Sequence, residues 1–433
     1  MRKTDINELY GLFLEHPVVT TDSRRCPEGS MFFALKGDTF DGNSFALAAL
    51  QKGCAYAVVS DEACQRADSR CLLVDDTVLA LQALAHRHRE SLQGKTVIQI
   101  TGTNGKTTTK ELIAAVLSTT KPVQFTQGNL NNHIGVPLTL LTLKDDQGFA
   151  VVETGANHPG EIAALSRITD PDYGLITNVG RAHLGGFGDL GGVMRAKGEL
   201  YHYIKEQGKS GIFLNVSAEH LMDMAEGIPA VRYGLTGASG AEVWGETVDC
   251  SPFLRFRFKT HQTDWQEVQT RLIGEYNIHN LLAAVAVGIR FAVPVEKICE
   301  ALASYTPTNN RSEYHDTGRN RLIVDAYNAN PSSMAVALDN FDRLSAEHKM
   351  LILGDMLELG EESETEHRRI VERIRGCETV WLVGEEYRKV ALPGMRCFAT
   401  AEEVKPLLAS VTGRTILIKG SNGMKLFQLV GLL

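Results

Sequence analysis

Short apolar runs alternate with polar and helical stretches in the first part of the chain. The runs MFFALKG, AYAVVS and CLLVDD are β-rich and lie within residues 31–76. An Ala/Leu/His-rich stretch follows to about Ser91 and has the pattern of a helix. We therefore predict a small N-terminal α/β domain over residues 1–94, which ends near a short polar link at 93–95.

The next segment, residues 95–306, is the largest and begins with a strand, a glycine loop and a helix in that order. The β-branched run TVIQI stops at the loop, and KTTTKELIAAVL continues with helical spacing. Further strands are expected at 149–154, 173–179 and 211–216, with helical patterns between them. This alternation predicts a central domain built on a mostly parallel, covered sheet of the phosphate-loop ATPase type.

Four alternations of strand and helix fill the last segment, residues 307–433. The strands RLIVDAY, KMLILGD, TVWLVG and TILIKG are each followed by a helix-compatible stretch. Three of them run into Gly354, Gly384 and Gly420, so their carboxyl ends open into turns of the kind that form ligand crevices. The pattern predicts a doubly wound, Rossmann-like C-terminal domain, and the whole chain is expected to be an α/β protein of three domains.

Length and composition agree with a globular protein of about three domains. The chain has 433 residues, of which 43% are hydrophobic and 22% are charged. Lysine and arginine number 44 against 52 acidic residues, which gives a net charge of -8, and no basic run could follow a nucleic-acid backbone. Nucleic-acid binding is therefore disfavoured.

Neither a membrane anchor nor a cysteine-based site is indicated. The longest apolar run, residues 281–289, is about half of the ~20 residues that a membrane helix needs, and residues 1–10 lack an apolar signal core. The eight cysteines form no CxxC pair, which favours reduced, mostly buried thiols. We expect a cytoplasmic protein with no transmembrane segment.

The strongest chemical signal is the loop TGTNGKT at residues 101–107, between a predicted strand and a helix. Its glycines let backbone N–H groups converge on phosphate oxygens, and the start of the helix adds the positive end of its dipole. Lys106 can reach the β- and γ-phosphates, and Thr107 can ligate Mg²⁺. Ile100 stands where the usual spacing has a glycine, so this is a shortened phosphate loop. It predicts an ATP or GTP site rather than an ordinary glycine turn.

Two possible metal ligands follow predicted strands of the same sheet. Glu153 ends one strand and His183 follows another, so both are expected at the carboxyl edge beside the loop. A helix-capping carboxylate and a hydrogen-bonded loop histidine are the alternatives. Composition alone favours a solvated helical lysine at Lys197.

Other residues extend the nucleotide hypothesis into the third segment. Asn277 and Asn280 share one face at the start of an Ala-rich helix, although one of them could simply cap it. Arg311, Asp325 and Tyr327 open the last segment, and Asp325 could accept a ribose hydroxyl. The loop by itself leaves kinase, ATPase, GTPase switch and ligase open.

Several motifs resemble the Mur ligase family, whose members are ATP-dependent amide-forming enzymes that build the peptidoglycan stem peptide. The motifs are GNLNNHIGVPLTLL, ETGANHPGEI, ITNVGRAHL, AKGEL and DAYNANPSSM. The YNANP run is the most discriminating, because sister ligases typically carry a histidine-containing segment there. The resemblance spans all three segments, from TDSR at 21–24 to ILIKGSNGMK near the C-terminus.

The resemblance implies ATP and two Mg²⁺ ions as cofactors. Lys106 and Thr107 would hold the phosphates and Mg²⁺, and Glu153 and His183 would bind the metals. A carbamylated Lys197 would supply a carboxylate-like ligand to the second Mg²⁺, which requires a neutral amine and hence a lowered lysine pKa or trapping by the metal. Further nucleotide contacts would come from Gly102, Thr103, Asn104, Gly105, Thr108, Asn277, Asn280, Arg311, Asp325 and Tyr327, with Arg311 reaching the phosphates.

The substrates implied by the resemblance are UDP-N-acetylmuramoyl-tripeptide and D-alanyl-D-alanine. ATP would phosphorylate the terminal carboxylate of the tripeptide, and the dipeptide amine would attack the acyl phosphate to give an amide, ADP and phosphate. Gly185, Gly191 and Asn422 depart from charged residues frequent in the family, and this bears on peptide recognition. Substrate contacts are expected from Ser23, Arg24, Asn131, Asn132, Asn157, His158, Asn328 and Asn330.

Alternatives within the same chemistry are the ligase that adds the preceding stem residue and a folylpolyglutamate synthetase, and DAYNANP argues against both. A noncatalytic ATP-binding switch is the alternative from a different class. We also expect a monomer whose domains close over the substrates, because water would hydrolyse an acyl phosphate.

Overall fold

The computed structural model describes residues 2–37, 39–92, 94–182, 184–308 and 310–433. Within these residues the chain forms three sheets of four, nine and six strands, in order along the sequence. Parallel pairing dominates each sheet, and helices cover them, so the predicted α/β class is confirmed. The domain boundaries at 94/95 and 306/307 stay predictions.

The N-terminal sheet is small and wholly parallel. Its elements are α1 (Ile6–Glu15), β1 (Val19–Thr20), β2 (Met31–Phe33), α2 (Ala46–Gln51), β3 (Tyr56–Val59), α3 (Glu62–Ala67), β4 (Cys71–Leu73) and α4 (Thr77–Ser91), with a 3₁₀ turn at Gly42–Phe45. The strand order is β1-β2-β3-β4. The Asp76 side chain caps α4 by accepting the N–H groups of Val78 and Leu79. The predicted strands and the predicted helix up to Ser91 are confirmed.

The central sheet carries the phosphate loop. Its elements are β5 (Thr96–Thr101), α5 (Lys106–Ser118), β6 (Val123–Phe125), α6 (Gly135–Leu140), β7 (Phe149–Glu153), α7 (Glu161–Thr169), β8 (Tyr173–Ile176), α8 (Leu184–Phe187), α9 (Leu190–Glu206), β9 (Gly211–Asn215), α10 (Leu221–Met224), β10 (Ala230–Leu235), β11 (Val243–Cys250), β12 (Phe253–Thr260), β13 (Gln266–Ile273), α11 (Asn277–Arg290) and α12 (Val295–Ser304). The order is β13-β12-β11-β10-β9-β8-β5-β7-β6. Pairing is parallel from β6 to β11 and antiparallel for β11-β12-β13.

The antiparallel strands β11 to β13 were not predicted. In β12 every second residue is buried and the intervening ones are partly exposed, so charged side chains interrupt the apolar run. By contrast, β5 is buried from Val97 to Thr101, and no charged residue interrupts it. Helix α11 packs against α5 and is buried along most of its length, which explains its Ala-rich composition.

The C-terminal sheet is parallel apart from one antiparallel edge strand. Its elements are β14 (Glu313–Asp316), β15 (Arg321–Asp325), α13 (Pro331–Arg343), β16 (Lys349–Gly354), α14 (Ser363–Arg373), β17 (Thr379–Val383), α15 (Glu385–Val390), β18 (Arg396–Phe398), α16 (Ala401–Val404) and β19 (Thr415–Lys419), with 3₁₀ turns at Gly360–Glu362, Lys405–Ser410, Asn422–Met424 and Leu426–Leu432. The order is β14-β15-β19-β16-β17-β18, with β14 antiparallel to β15. The four predicted strands are confirmed, while the short β14 and β18 were missed.

Two expectations from composition can be compared with the structure. All eight cysteines are free thiols. Only Cys54 and Cys71 are buried and the other six are half-buried, so the expectation of mostly buried thiols was wrong. Among the residues that the structure describes, none of the helices combines the length and apolar character needed to cross a bilayer.

Candidate active site

The predicted phosphate loop connects the end of β5 to the start of α5. Gly102 and Gly105 both adopt positive φ, at 141° and 79°. A Cβ at Gly102 would lie 2.0 Å from Thr177 Oγ1, and one at Gly105 would lie 2.6 Å from Asn280 Oδ1. Glycine is therefore required at both positions because neighbouring side chains press on the loop.

Two residues just beyond β8 hold the centre of the loop. The Asn104 N–H donates to Asn178 Oδ1 at 3.0 Å. In return, Thr177 Oγ1 and Asn178 Nδ2 donate to the Asn104 carbonyl at 2.7 and 3.0 Å. The sequence interpretation missed both residues, although they lie near the end of a predicted strand, as Glu153 does. The strand-end rule that selected Glu153 would have found them.

Lys106 is folded back onto the loop. Its Nζ donates to the carbonyls of Gly102 and Thr103 at 2.7 and 3.0 Å. Burial lowers the Lys106 pKa to about 8, with Glu153 opposing and Arg311 reinforcing the shift. A phosphate bound here would raise the Lys106 pKa again and so stabilise the charged ammonium beside it.

Glu153 lies at the end of β7 beside α5, with only 1% of its surface exposed. Its Oε2 accepts from Thr107 Oγ1 at 2.8 Å, and its Oε1 accepts from Asn131 Nδ2 at 2.9 Å. Lys110 Nζ lies 4.0 Å from the same Oε2. The alternative of a helix-capping carboxylate is wrong, because the residue at the N-cap of α7 is Gly160.

Lys197 is buried inside α9, with 2% of its surface exposed, so the solvated-lysine alternative is wrong. Its Nζ donates to the Ala156 carbonyl at 3.4 Å and lies 5.4 Å from the centre of the Phe187 ring. Burial, followed by the nearby charge of Lys106, lowers the Lys197 pKa to about 7. A substantial fraction of this amine is therefore neutral at physiological pH.

Potential metal ligands beyond these residues are few in the described part of the chain. His183 lies outside the described residues, so its predicted place beside Glu153 stays a prediction. Over the described ranges, no group of three or more His, Cys, Asp or Glu side chains could hold a metal. A metal ion here would be held by the Thr107 hydroxyl, the Glu153 carboxylate and further ligands that are not His, Cys, Asp or Glu side chains of the described residues.

The two asparagines of α11 form a buried amide pair. Asn280 Nδ2 donates to Asn277 Oδ1 at 2.8 Å, and Asn280 Oδ1 accepts from Thr109 at 3.0 Å. Asn277 Nδ2 donates to the Ile273 carbonyl at 2.7 Å. Neither caps the helix, since Tyr276 holds the N-cap position, so the capping explanation was wrong.

The C-terminal segment contributes a cation and a carboxylate to the same region. The Arg311 guanidinium lies over the Tyr327 ring, 3.8 Å from its centre. Arg311 Nε is buried and has no hydrogen-bond partner among the described residues. Asp325 ends β15 and forms an ion pair with Lys419, which is buried.

These residues face one cavity of about 1000 Å³ to which all three segments contribute. Gln82 of the N-terminal segment reaches its wall and donates to the His133 carbonyl at 3.0 Å. Gln82, His279, Glu161, Ser332 and Lys419 are wall residues that the sequence interpretation missed. The predicted residues in the wall are Thr103, Asn104, Gly105, Lys106, Thr108, Asn131, Asn132, Glu153, Asn157, Asn277, Asn280, Arg311, Asp325, Tyr327, Asn328 and Asn330.

Some predicted residues lie outside this wall. Arg24 lies in the first segment with Ser23 and pairs with Asp22, an interaction that holds the pKa of Asp22 down at about 2. His158 is exposed and lies 3.5 Å from a carboxylate oxygen of Glu161. Gly102, Thr107 and Lys197 do not themselves line the cavity. Of the departures from the family pattern, Gly185 lies close to Gly360, where the second and third segments meet.

Comparisons with known proteins agree across the whole chain. Residues 17–89 match the family model "Mur ligase family, catalytic domain", residues 100–288 match "Mur ligase middle domain", and residues 310–422 match "Mur ligase, glutamate ligase domain". A relative from Bacillus subtilis (strain 168), named UDP-N-acetylmuramoyl-tripeptide--D-alanyl-D-alanine ligase, is 36% identical over 95% of this chain and 92% of its own length.

Solved structures show the same architecture. A crystal structure of MurF from Acinetobacter baumannii superposes with a TM-score of 0.85 at 32% identity, covering 95% of this chain and 92% of that one. MurF ligase from Thermotoga maritima in complex with ADP has a TM-score of 0.83 at 25% identity and 96% coverage of both chains. On these sequence and structural matches, the chain belongs to the Mur ligase family.

Proposed function

We propose that this protein uses ATP to join D-alanyl-D-alanine to UDP-N-acetylmuramoyl-tripeptide. The observation that carries the proposal is the shared cavity, in which a phosphate loop faces polar groups from the other two segments. A reaction between a nucleotide and two further substrates needs such a meeting point. The name of the Bacillus subtilis relative supports the choice of substrates.

The phosphate loop is the proposed site for the ATP phosphates. Backbone N–H groups of the loop and the start of α5 favour an anion there, and Lys106 adds a positive charge. Arg311 brings a second cation from the C-terminal segment, and its buried Nε lacks a partner among the described residues. The ADP in the Thermotoga maritima neighbour supports a nucleotide in this fold. Asn277, Asn280, Asp325 and Tyr327 are proposed to surround the nucleoside.

The donor atoms around Glu153 fit Mg²⁺. A threonine hydroxyl and a buried carboxylate, hydrogen-bonded to each other at 2.8 Å, are the hard oxygen ligands that this ion takes beside phosphates. Thr107, Glu153 and, from the resemblance, His183 would hold the ions. When bound, Mg²⁺ neutralises charge that develops on the transferred phosphoryl group. The count of two ions remains part of the proposal.

Lys197 is proposed to be carbamylated. The ammonium first loses one proton to give the neutral amine. The amine then attacks CO₂, forms an N–C bond and releases a second proton, so a cation becomes a carbamate anion. Burial of Lys197 and its pKa of about 7 support this reaction, because they supply the neutral amine without a change of solution pH. A carbamate would be a metal ligand, whereas an ammonium at this position would repel Mg²⁺.

The proposed reaction proceeds in two steps. A tripeptide carboxylate oxygen attacks the γ-phosphorus, the bond to the β–γ bridging oxygen breaks, and ADP leaves. The dipeptide amine then attacks the acyl carbon through a tetrahedral intermediate, and phosphate departs as the amide forms. Lys106 and Arg311 would stabilise the charge on the phosphoryl oxygens in the first step. Closure of the domains over the cavity would protect the acyl phosphate from water.

Several residues of the cavity wall are proposed to contact the substrates. Asn131, Asn132, Asn157 and Asn328 offer amide groups in the wall and are proposed to contact the peptide parts of the substrates. Ser23 and Arg24 remain proposed contacts of the UDP group, and His158 a proposed contact of the muramoyl-peptide. A cytoplasmic location and a monomeric state also remain predictions.

One assay separates the proposal from its alternatives. Purified protein is incubated with ATP, Mg²⁺ and a panel of acceptors and nucleophiles, while ADP release and product mass are recorded. We expect ADP only when UDP-N-acetylmuramoyl-tripeptide and D-alanyl-D-alanine are both present, with a product that contains both less one water. A switch would release no dipeptide-dependent ADP, and a sister ligase would require the shorter precursor and an amino acid.

A further inference from the structure

The C-terminal domain touches the phosphate loop through the side chain of Asn330. Asn330 Nδ2 donates to Asn104 Oδ1 at 2.8 Å, and the two residues are 226 positions apart in the chain. Asn330 is buried, with 7% of its surface exposed. This contact therefore joins the C-terminal domain to the middle of the loop proposed to hold ATP.

The orientation of Asn330 is set by its own helix. Its side-chain oxygen accepts the N–H of Ser333 at 2.8 Å and caps α13, while Ser333 Oγ accepts the Asn330 N–H at 3.1 Å. Because Oδ1 is occupied by the cap, the planar amide must present Nδ2 on the opposite side, toward Asn104. The capping box thus orients the Asn330 amide group so that its Nδ2 can donate to Asn104.

Asn104 is held by two different domains. Its backbone N–H and carbonyl are bonded by Asn178 and Thr177, which belong to the same domain as the loop. Its side-chain oxygen is bonded by Asn330 from the C-terminal domain. Separation of the domains would leave the backbone fixed and remove this bond from the side chain.

A second contact shows how closely α13 approaches the loop. A Cβ at Gly180 would lie 3.0 Å from Ser332 Oγ, so a side chain there would crowd the start of the helix. Gly180 in turn donates its N–H to Thr103 Oγ1 at 3.0 Å. The start of α13 therefore lies beside a residue that is hydrogen-bonded to the phosphate loop.

We propose that Asn330 is a positioning residue that couples closure of the C-terminal domain to the geometry of the phosphate loop. This inference rests on the proposed ligase function and reassigns Asn330, which the resemblance had placed among the substrate contacts. Asn104 takes its reactive orientation only when the C-terminal domain has closed. Phosphoryl transfer is thereby tied to the closed position of the C-terminal domain.

The variant Asn330→Ser separates this role from helix capping. Serine is a good N-cap and can still accept the Ser333 N–H, but it is too short to donate to Asn104. Asn104→Ala removes the acceptor, and the double variant completes a thermodynamic cycle. Ser333→Ala is the matched control, since it weakens the capping box and leaves the Asn330–Asn104 atoms in place.

Loss of one neutral hydrogen bond is expected to lower kcat about five- to tenfold in Asn330→Ser. Nucleotide affinity without dipeptide, measured by titration with a fluorescent ATP analogue, should change less than about twofold, because the open protein lacks the bond in any case. Asn104→Ala combined with Asn330→Ser should be no slower than Asn104→Ala alone. Ser333→Ala combined with Asn104→Ala should instead show independent, multiplying effects.

Unchanged kcat in Asn330→Ser, or losses that multiply in the Asn104/Asn330 double variant, would overturn the coupling. A lower thermal midpoint of Asn330→Ser does not affect this test. The effect of a general folding defect on kcat would multiply with that of Asn104→Ala, whereas the effect of losing the shared hydrogen bond would not. The wild-type assay is run first. A wild type without dipeptide-dependent ADP release refutes the proposed function, whereas an active wild type with an uncoupled pair refutes only this inference.

Discussion

Thr107 Oγ1 donates a 2.8 Å hydrogen bond to Glu153 Oε2, and this bond joins the first turn of α5 to the end of β7. The parallel register that pairs Ile100 with Glu153 brings the two residues together. The phosphate loop leaves β5 just after that pair, so the carboxylate is placed beside the loop by the sheet itself. A hydroxyl and a carboxylate in contact are the start of an Mg²⁺ site.

Glu153→Gln should abolish most of the ligase activity while keeping the shape of the site. The amide oxygen can still accept from either Thr107 or Asn131, but the substitution removes the negative charge that would hold Mg²⁺. We expect ADP formation to fall about 10²- to 10³-fold, with a half-activating Mg²⁺ concentration that rises. Both are measured by steady-state kinetics across a magnesium series. Glu206→Gln, an exposed change at the end of α9, serves as the control and should behave as wild type.

Lys197→Ala should be inactive and should regain activity with added short carboxylates. Acetate or formate can enter the space left by the side chain and supply the oxygen ligand that a carbamate would provide. Rates are measured with and without the acids, and chloride at equal ionic strength is the control. Native mass spectrometry of the wild type should show the mass of one added CO₂ that disappears after exchange into CO₂-free buffer. Full activity of the unrescued variant would exclude the carbamate.

Sequence patterns predicted the parallel strands well because those strands are buried on both faces. β5, β7 and β9 are fully or almost fully buried, so their apolar runs are continuous. The partly exposed β12 alternates charged and apolar residues, and the three-residue β18 gives too short a signal. The alternation in β12 and the shortness of β18 explain why these two strands were missed.

The site was predictable where chemistry follows a strand end and unpredictable where it depends on distant contacts. The glycine loop and Glu153 were found by local pattern. The burial of Lys197 depends on packing between α9 and neighbouring elements, and composition had favoured a solvated side chain. Gln82 reaches the site through a tertiary contact with the His133 carbonyl, and nothing in its own segment marks it as functional.

Lys110→Met should destabilise the protein strongly. Lys110 is buried with 1% of its surface exposed, donates to the Thr126 carbonyl at 2.6 Å and lies 3.7 Å from Glu111. Removing its charge leaves Glu111 and Glu153 without this counter-ion, which costs about 3–5 kcal/mol for a buried pair. Urea unfolding followed by far-UV circular dichroism gives the free energy of unfolding. Lys121→Met, a change at an exposed lysine, should shift it by less than about 0.5 kcal/mol.

His367 should make the stability of the C-terminal domain depend on pH. The ring is fully buried, its Nε2 accepts the Met356 N–H at 3.0 Å, and burial lowers its pKa below the usual value. Because the unfolded chain binds a proton more readily than the folded one, stability is complete above the unfolded histidine pKa of about 6.5 and falls as the pH drops toward the folded value. Protonation would also remove the acceptor for Met356. Thermal unfolding should therefore show a midpoint that declines between about pH 7 and pH 5, and His367→Gln should flatten that part of the profile at a lower overall midpoint. An identical decline in the variant would assign the acid sensitivity to other groups.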